Sequence, residues 1–385
     1  MTFVAAVGQA QALDGREAGL QATHQALNRL GAAAPNLGIV IASNQYPARE
    51  VAAGVTSLTG DMPVLGFSAP AGLTNAGQHP HSVVVALLSG DLRAEVHWLP
   101  GYAQSARETA ARLIQLTPPE RPAQNLLFFA DGFNGDAEQL CSAFPADGVP
   151  LAGGLSSGDL HTGNTYQFAG TQAGTGGLAA ALLRGGVKIG VGYSHGWDPV
   201  GSQFRVTRSR GFWLRTLDGR PASETYADLF GHPARDWAFP PLNYLARLYP
   251  LGVDQGESLL VRSPLRVEAD GSFRMNAPIR DGVDAYLLVG SRTACQKAAQ
   301  QAAQQAILQL GDSRPAFALV LVDVAWQMLL RATPGAEITA IQDILGAEVP
   351  LAGGYTLGQI VPGKPPAPPQ FLNQHVVVIA FGEPQ

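Results

Sequence analysis

A short pattern occurs three times along the chain and limits what it can fold into. It reads Pro63-Val64-Leu65-Gly66-Phe67-Ser68, then Pro150-Leu151-Ala152-Gly153-Gly154-Leu155-Ser156, then Pro350-Leu351-Ala352-Gly353-Gly354-Tyr355-Thr356. A recurring sequence unit implies a recurring supersecondary unit whose copies bury one another's apolar faces. The flanking periodicity agrees. Before Pro63 there is a helical stripe from Asp14 to Leu30 stopped by Gly31, a strand Leu37–Ala42 ending at Ser43-Asn44, and a helix from Pro47 to Leu58; a strand Ser82–Leu88 follows the motif. Before Pro150 there is a linking strand Arg93–Leu99, then a helix Ser105–Leu116 whose Ser105 and Glu108 form a capping-box pattern. A strand Asn125–Ala130 ending at Asp131-Gly132 and a helix Asp136–Phe144 complete that unit. Ile39 to Pro63 and Leu126 to Pro150 each span 24 positions. Before Pro350 come a helix Thr293–Leu310 closed by Gly311, an apolar strand Phe317–Val322 ending at Asp323, and a helix Ala336–Leu345. After it come a proline-rich surface loop Lys364–Pro369 and a strand Val376–Phe381.

The expected fold class is therefore α/β with mixed sheets, made of repeated α-β-α-β-β units and an inserted β-rich section. In that section Asn164–Gly170 and Gly177–Leu183 read as paired strands. Val187–Tyr193, Phe204–Ser209 and Trp213–Leu217 follow as strands, and Asp218-Gly219 as a turn. Ala222–Leu229 reads as a helix and residues 232–250 as a packed connector. Strands are expected at Glu257–Arg262, Leu265–Glu268, Ser272–Met275 and Ala285–Gly290. The expected domains are 1–231 and 251–385, joined by 232–250.

The chain of 385 residues is 46% hydrophobic with a net charge of −5, enough for a large core and without a basic stripe for nucleic acid. No apolar run approaches the ~20 residues of a membrane span, and Met1–Val7 lacks the basic start of a signal peptide, so a cytoplasmic protein is expected. Cys141 and Cys295 exclude a disulfide framework and read as buried thiols.

These residues carry a family resemblance. Gly66-Phe67-Ser68, Pro150 to Gly154, Gly196-Trp197-Asp198-Pro199, Val206-Thr207 and Leu217 to Ala222 are similar to the N-terminal module of the FIST family (F-box and intracellular signal transduction proteins). Tyr249 to Gly252, Val261-Arg262, Asp270-Gly271, Arg280-Asp281-Gly282, Pro350 to Ile360 and Leu372-Asn373-Gln374 resemble its C-terminal module. The resemblance implies a non-catalytic intracellular sensory protein that binds a small ligand such as an amino acid and signals to a partner protein such as a kinase. For some members it implies a heme that senses nitric oxide. The chain departs from the family pattern at Asp323 to Gln327, where members carry Cys-Gly-Arg-Arg, at Gln359, where they carry Glu, and at Asn373-Gln374-His375, where they carry Asn-x-Thr.

Candidate ligand-binding residues follow from strand ends and motifs, because α/β sheets present ligands at carboxyl ends. Asp323 ends an apolar strand, as do Asp131 and Ser43-Asn44. The motifs supply Ser68, Gly153, Gly154, Ser156 and Tyr355, which are expected to converge. Trp197 is a candidate pocket wall, Arg262 a carboxylate clamp, and Gln359 and Asn373 lie in the family pattern. Packing glycines, a solvated arginine and a core tryptophan are the alternatives. Gly154-Leu155-Ser156-Ser157-Gly158 also fits the G-x-S-x-G hydrolase elbow, with Asp323 and His375 in chain order, but turn residues follow where that motif needs a helix. His161, His195 or His375 would be the axial residue if heme binds; no CxxCH for covalent attachment is present, and His79-Pro80-His81 is too short to define a metal site.

Overall fold

The structure of the chain, a computed structural model, describes residues 2–383 except 119, 121, 161, 257, 258, 365 and 366. His161, the start of the Glu257–Arg262 strand and Pro365-Pro366 of the proline-rich loop thus lie outside the described residues.

The repeat is longer than the sequence reading has it. The first unit runs β1 (Val4–Ala10), α1 (Gly15–Leu30), β2 (Leu37–Ser43), α2 (Ala48–Thr59), β3 (Val64–Ala69), a hairpin β4 (Ala71–Thr74) and β5 (Gly77–Pro80), and β6 (Val83–Ser89). The second runs β7 (Leu92–Leu99), α3 (Ala106–Gln115), β8 (Asn125–Ala130), α4 (Ala137–Ser142), β9 (Leu151–Leu155), a hairpin β10 (Gln167–Ala169) and β11 (Gln172–Gly174), and β12 (Leu178–Gly185). The third opens with β13 (Lys188–Ser194) and is then interrupted. The interruption holds β14 (Trp197–Arg210), β15 (Trp213–Leu217), β16 (Arg220–Pro221), α5 (Ala222–Phe230), α6 (Leu242–Leu245), β17 (Leu251–Asp254), β18 (Leu259–Arg262), β19 (Pro264–Val267), β20 (Phe273–Met275) and β21 (Asp284–Gly290). The third unit resumes with α7 (Arg292–Leu310), β22 (Arg314–Asp323), α8 (Val324–Leu329), α9 (Ala336–Leu345), β23 (Leu351–Thr356), a hairpin β24 (Gln359–Val361) and β25 (Gln370–Leu372), and β26 (Val376–Glu383). The inserted section therefore lies inside the third unit.

Each unit builds a six-stranded sheet to one plan, in the orders β1-β6-β2-β3-β10-β11, β7-β12-β8-β9-β24-β25 and β13-β26-β22-β23-β4-β5. The motif strand runs parallel to the central strand in the same register each time: Gly66 faces Val40, Gly153 faces Phe128 and Gly353 faces Val320. By this register Ile39 corresponds to Leu127, not Leu126, so the equal spacing read from sequence is one residue out. The last two strands of each sheet are borrowed. The hairpin after β9 completes the first sheet, the hairpin after β23 the second, and the hairpin after β3 the third. The exchange is cyclic. It also corrects one expected pairing: β10 joins β3 and β11, while β12 lies in another sheet against β7 and β8.

Alternate residues on the central strands sort the core into layers. Ile39, Ile41, Leu127, Phe129, Leu319 and Leu321 share one buried cluster to which all three sheets contribute. Val40 and Ala42 face outward toward Ala18, Ala22 and Ala26 of α1. The alanine stripes of α1 and α7 follow from the strands beneath them. A Cβ on Gly8 would fall 2.0 Å from the Ala22 carbonyl, and one on Gly192 would fall 1.9 Å from that of Ala302. The glutamines of α7 answer a different need. Gln309 and Gln305 accept from Val191 N (2.9 Å) and Tyr193 N (3.1 Å), which satisfies the open edge of β13. Both cysteines are buried free thiols.

The motif glycines are set by backbone contact. A Cβ on Gly153 would lie 1.9 Å from Phe128 O, and one on Gly353 would lie 2.1 Å from Val320 O. Gly153→Ala is expected to cost at least about 1–3 kcal/mol, the usual penalty of overpacking, seen as a lower urea midpoint at unchanged m-value; an unaltered midpoint would show that the strands do not approach this closely.

Candidate functional site

The three motif strands do converge. Ser157 N donates to Ser68 O (2.9 Å), the Ser68 hydroxyl donates to Ser157 O (2.8 Å), and the Ser157 hydroxyl donates to Tyr355 O (2.5 Å). One serine thus joins all three units. The junction is closed: Ser68, Ser156 and Ser157 are buried, and the chain itself takes up their hydroxyls. Ser156 Oγ donates to Ala130 O (3.0 Å) and accepts from Gln167 Nε2. No histidine bonds to it among the described residues, and nothing in this arrangement points to a serine nucleophile. Gly154 lies against Gly358 O and Thr356. Tyr355 reaches the other way, its hydroxyl donating to the buried Glu337 carboxylate (2.5 Å).

The other expected residues fall in two places. Arg262, at the end of β18, is buried and ion-paired with Glu138 of α4, so its carboxylate partner is internal. Trp197 is buried with its ring 5.9 Å from that of Trp326. Asp323, Gln359 and Asn373 lie around the chain end of β22. Asp323 Oδ1 accepts from Ala325 N (3.0 Å), capping α8, and Oδ2 accepts from Gln374 N (2.9 Å). Gln359 accepts from His375 N (3.1 Å), and Asn373 O lies 2.7 Å from His375 Nδ1. Burial raises the Asp323 carboxyl above its ordinary value, and the Arg247 guanidinium pulls it back.

His195 and His375 sit edge to face with ring centroids 4.8 Å apart. Neither lines any cavity described below.

The cavity nearest these strand ends is lined by other residues. About 510 Å³ is lined by Phe133 and Asn134 beyond β8, Leu160, Thr162 and Gly163 beyond β9, the short helical segment with Asn243 and Arg247, and Arg266 and Arg274 on β19 and β20. Each wall has a local cause. Asp131 ends β8 and accepts from Phe133 N (2.9 Å) and Asn134 N (3.0 Å), which fixes that loop. Gln374 Nε2 donates to Arg247 O (2.6 Å) and to Ser263 Oγ (2.9 Å), which ties the helical segment to the third unit. Three buried atoms of the lining residues have no partner among the described residues: Arg247 Nη1, Arg274 Nε and Asn243 Oδ1. Burial lowers the pKa of Arg247, with Asp323 opposing, and burial also lowers that of Arg274, helped by Arg266 and opposed by Glu268. An anion placed here would relieve under-compensated positive charge. The sequence reading misses Arg247 because it treats 232–250 as packing, and Arg266 and Arg274 because it reads them only as strand residues; the available signal is a lone arginine inside Leu245-Ala246-Arg247-Leu248.

Burial pushes the His375 pKa down to about 3 from 6.5, aided by His195 and Arg262 and opposed by its bond to Asn373. The folded state then binds fewer protons than the unfolded chain between those values, so stability is full above pH 6.5 and falls as pH drops toward 3. His375→Gln is expected to flatten this acid limb by on the order of 1.4 kcal/mol per pH unit, leaving the contribution of His195; thermal unfolding from pH 7 to 4 tests it, and an unchanged slope refutes it.

The FIST N domain matches residues 36–220 and the FIST C domain matches residues 222–362. The uncharacterized protein Mb0898c of Mycobacterium bovis is 24% identical over 375 residues, covering 92% of this chain and 93% of that protein. The uncharacterized protein Rv0628c of Mycobacterium tuberculosis is 25% identical over 374 residues, covering 92% and 94%. A solved structure, T. maritima PurL complexed with AMPPCP, aligns over 99% of this chain and 73% of its own at 11% identity, with a TM-score of 0.25 that carries no argument. FIST domains are associated with sensory signal transduction and small-ligand binding, and are sensory rather than catalytic. No described helix is long and apolar enough to cross a membrane. Matched over both modules, the chain belongs to the FIST family.

Proposed function

We propose that this protein is a non-catalytic cytoplasmic sensor that binds a small carboxylate-bearing solute such as an amino acid in the Arg247 cavity, and that its occupancy is read by a signalling partner such as a kinase. The observation that carries the reading is the set of buried polar atoms around one cavity, on Arg247, Arg274 and Asn243, that have no partner among the described residues. Guanidinium groups suit a carboxylate because their planar donors meet both of its oxygens. Asn243 and Asn134 offer the mixed donors and acceptors that an α-amino group needs. Among the ten residues expected from sequence, Asp323 acts on this cavity through the charge of Arg247, and Asn373 stands beside Gln374, which holds the Arg247 backbone. Ser68, Gly153, Gly154, Ser156, Trp197, Arg262, Tyr355 and Gln359 frame the core behind them.

A thermal-shift and calorimetric panel of amino acids and small di- and tricarboxylates tests the proposal. Arg274→Gln, on a half-buried strand position, is expected to weaken the best ligand by roughly 10- to 100-fold, as loss of one charge-assisted hydrogen bond does. Asn243→Ala should weaken amino acids more than simple carboxylates. A panel with no binder, or a binder indifferent to both substitutions, overturns the assignment.

A further inference from the structure

The three-unit plan is broken at one core position, and a second cavity opens there. Three positions before Val40 and Val320, the central-strand residues that face motif glycines, stand Leu37 in the first unit and Phe317 in the third; both are fully buried in the shared core. The registers Leu37–Leu88, Asn125–Leu183 and Phe317–Phe381 make Asn125 their counterpart in the second unit. One strand over, Leu65 is matched by Ala152 and, in the third unit, by Ala352. Asn125 alone departs from both other units, and with Ala152 it stands where the first unit has two leucines.

The space they leave is a chamber of about 310 Å³ between the amino ends of β8 and β9 and the strands β13 and β26. Its walls include Leu127, Leu151, Ile189, Val191, Ile379 and Phe381. A second, more open chamber of about 620 Å³ shares Val191, Gln309, Pro362 and Gly363 with it and adds Tyr193, Gln305, Leu308 and Lys364. The side-chain carbonyls of Gln305 and Gln309 are taken by the β13 edge, which leaves their amide N–H groups as the donors they can offer a ligand. Lys364 is exposed and supplies a positive charge at the same mouth.

We propose that this pair of chambers binds a medium-chain aliphatic carboxylate, its chain in the apolar chamber and its carboxylate at Lys364. An apolar cavity of roughly 150 Å³ accepts benzene, so the inner chamber has room for a chain of roughly eight to twelve carbons. Apolar walls with a few convergent polar groups at one end are the usual form of such a site. This site is separate from the Arg247 cavity and stands or falls independently of it.

Titration of the full chain with octanoate, decanoate and dodecanoate below their micelle concentrations tests the proposal. One-to-one binding is expected, tightening roughly three- to fourfold per added methylene until the chamber is full. Asn125→Leu restores the residue of the first unit and should abolish binding without lowering the melting temperature. Ala152→Leu is a second way to fill the chamber should Asn125→Leu fold poorly. Lys364→Ala should weaken dodecanoate at least fivefold while leaving dodecanol unaffected. No saturable binding, binding without chain-length dependence, or binding that survives both filling substitutions overturns the proposal.

Discussion

The close parallel contact between each motif strand and its central strand is the constraint on which the rest of the fold depends. At Gly66, Gly153 and Gly353 a Cβ would lie 1.9–2.6 Å from the neighbouring carbonyl oxygen, so the backbone itself is the packing surface. Beyond each motif strand the chain leaves its own sheet and enters the next one as a hairpin. Each hairpin then covers a sheet edge that its neighbour could not cover alone, and the ring closes after three steps. An exposed apolar edge invites association, and here the edges beside all three motif strands are paired inside the chain.

Because the plan is three-fold, the places where it fails stand out, and both cavities lie at such places. The inserted sheet occurs once, inside the third unit, and reaches across to the second. Arg262 meets Glu138 of α4, Gln374 bonds Ser263, and Asn276 donates to Leu357 O. These contacts bring β19 and β20 up against the loops beyond β8 and β9 and so wall the arginine cavity. At the opposite end of the same strands, Asn125 and Ala152 underfill the core and leave the apolar chamber. The carboxyl ends present polar groups and the amino ends apolar ones, as the location of ligand sites in α/β sheets leads one to expect for the first of these.

Much of this was legible in the sequence where local rules decide. Asn125–Ala130, the Ser105 cap and the Gly31 and Gly311 stops are written in short-range chemistry. The motif copies announced a repeat and the meeting of its strands, but the residue that joins Ser68 to Tyr355 is Ser157, one past the expected Ser156. The leading strand β1 and the hairpins β4–β5 and β24–β25 escaped notice because they are short and their partners are distant; Gly77–Pro80 pairs usefully only in a sheet assembled from another unit. The same nonlocality led to the mistaken pairing of Asn164–Gly170 with Gly177–Leu183. The arginine cavity was hidden for a related reason: Arg247, Arg266 and Arg274 are unremarkable in one dimension, and only the packing of the connector against β19 and β20 makes them neighbours.

The position of Arg247 explains how a ligand there would be felt elsewhere. Its backbone carbonyl is held by Gln374, its charge acts on Asp323, and both residues belong to the corner where β22 ends and β26 begins. Gln374 adopts a positive φ of 59°, a conformation that costs a non-glycine residue energy and persists only where several bonds fix it. Those bonds are its backbone N–H to Asp323, its amide to Arg247 and Ser263, and its carbonyl, which accepts from Trp326 Nε1 (2.9 Å). An anion that neutralises Arg247 weakens its hold on Asp323, whose carboxylate is then less compensated while still anchoring Gln374 and α8. The charge at the site is thereby coupled to the start of α8, which Asp323 caps and whose Trp326 packs on Trp197 of the inserted sheet, so on the proposed reading occupancy would be felt where the third unit meets the insert.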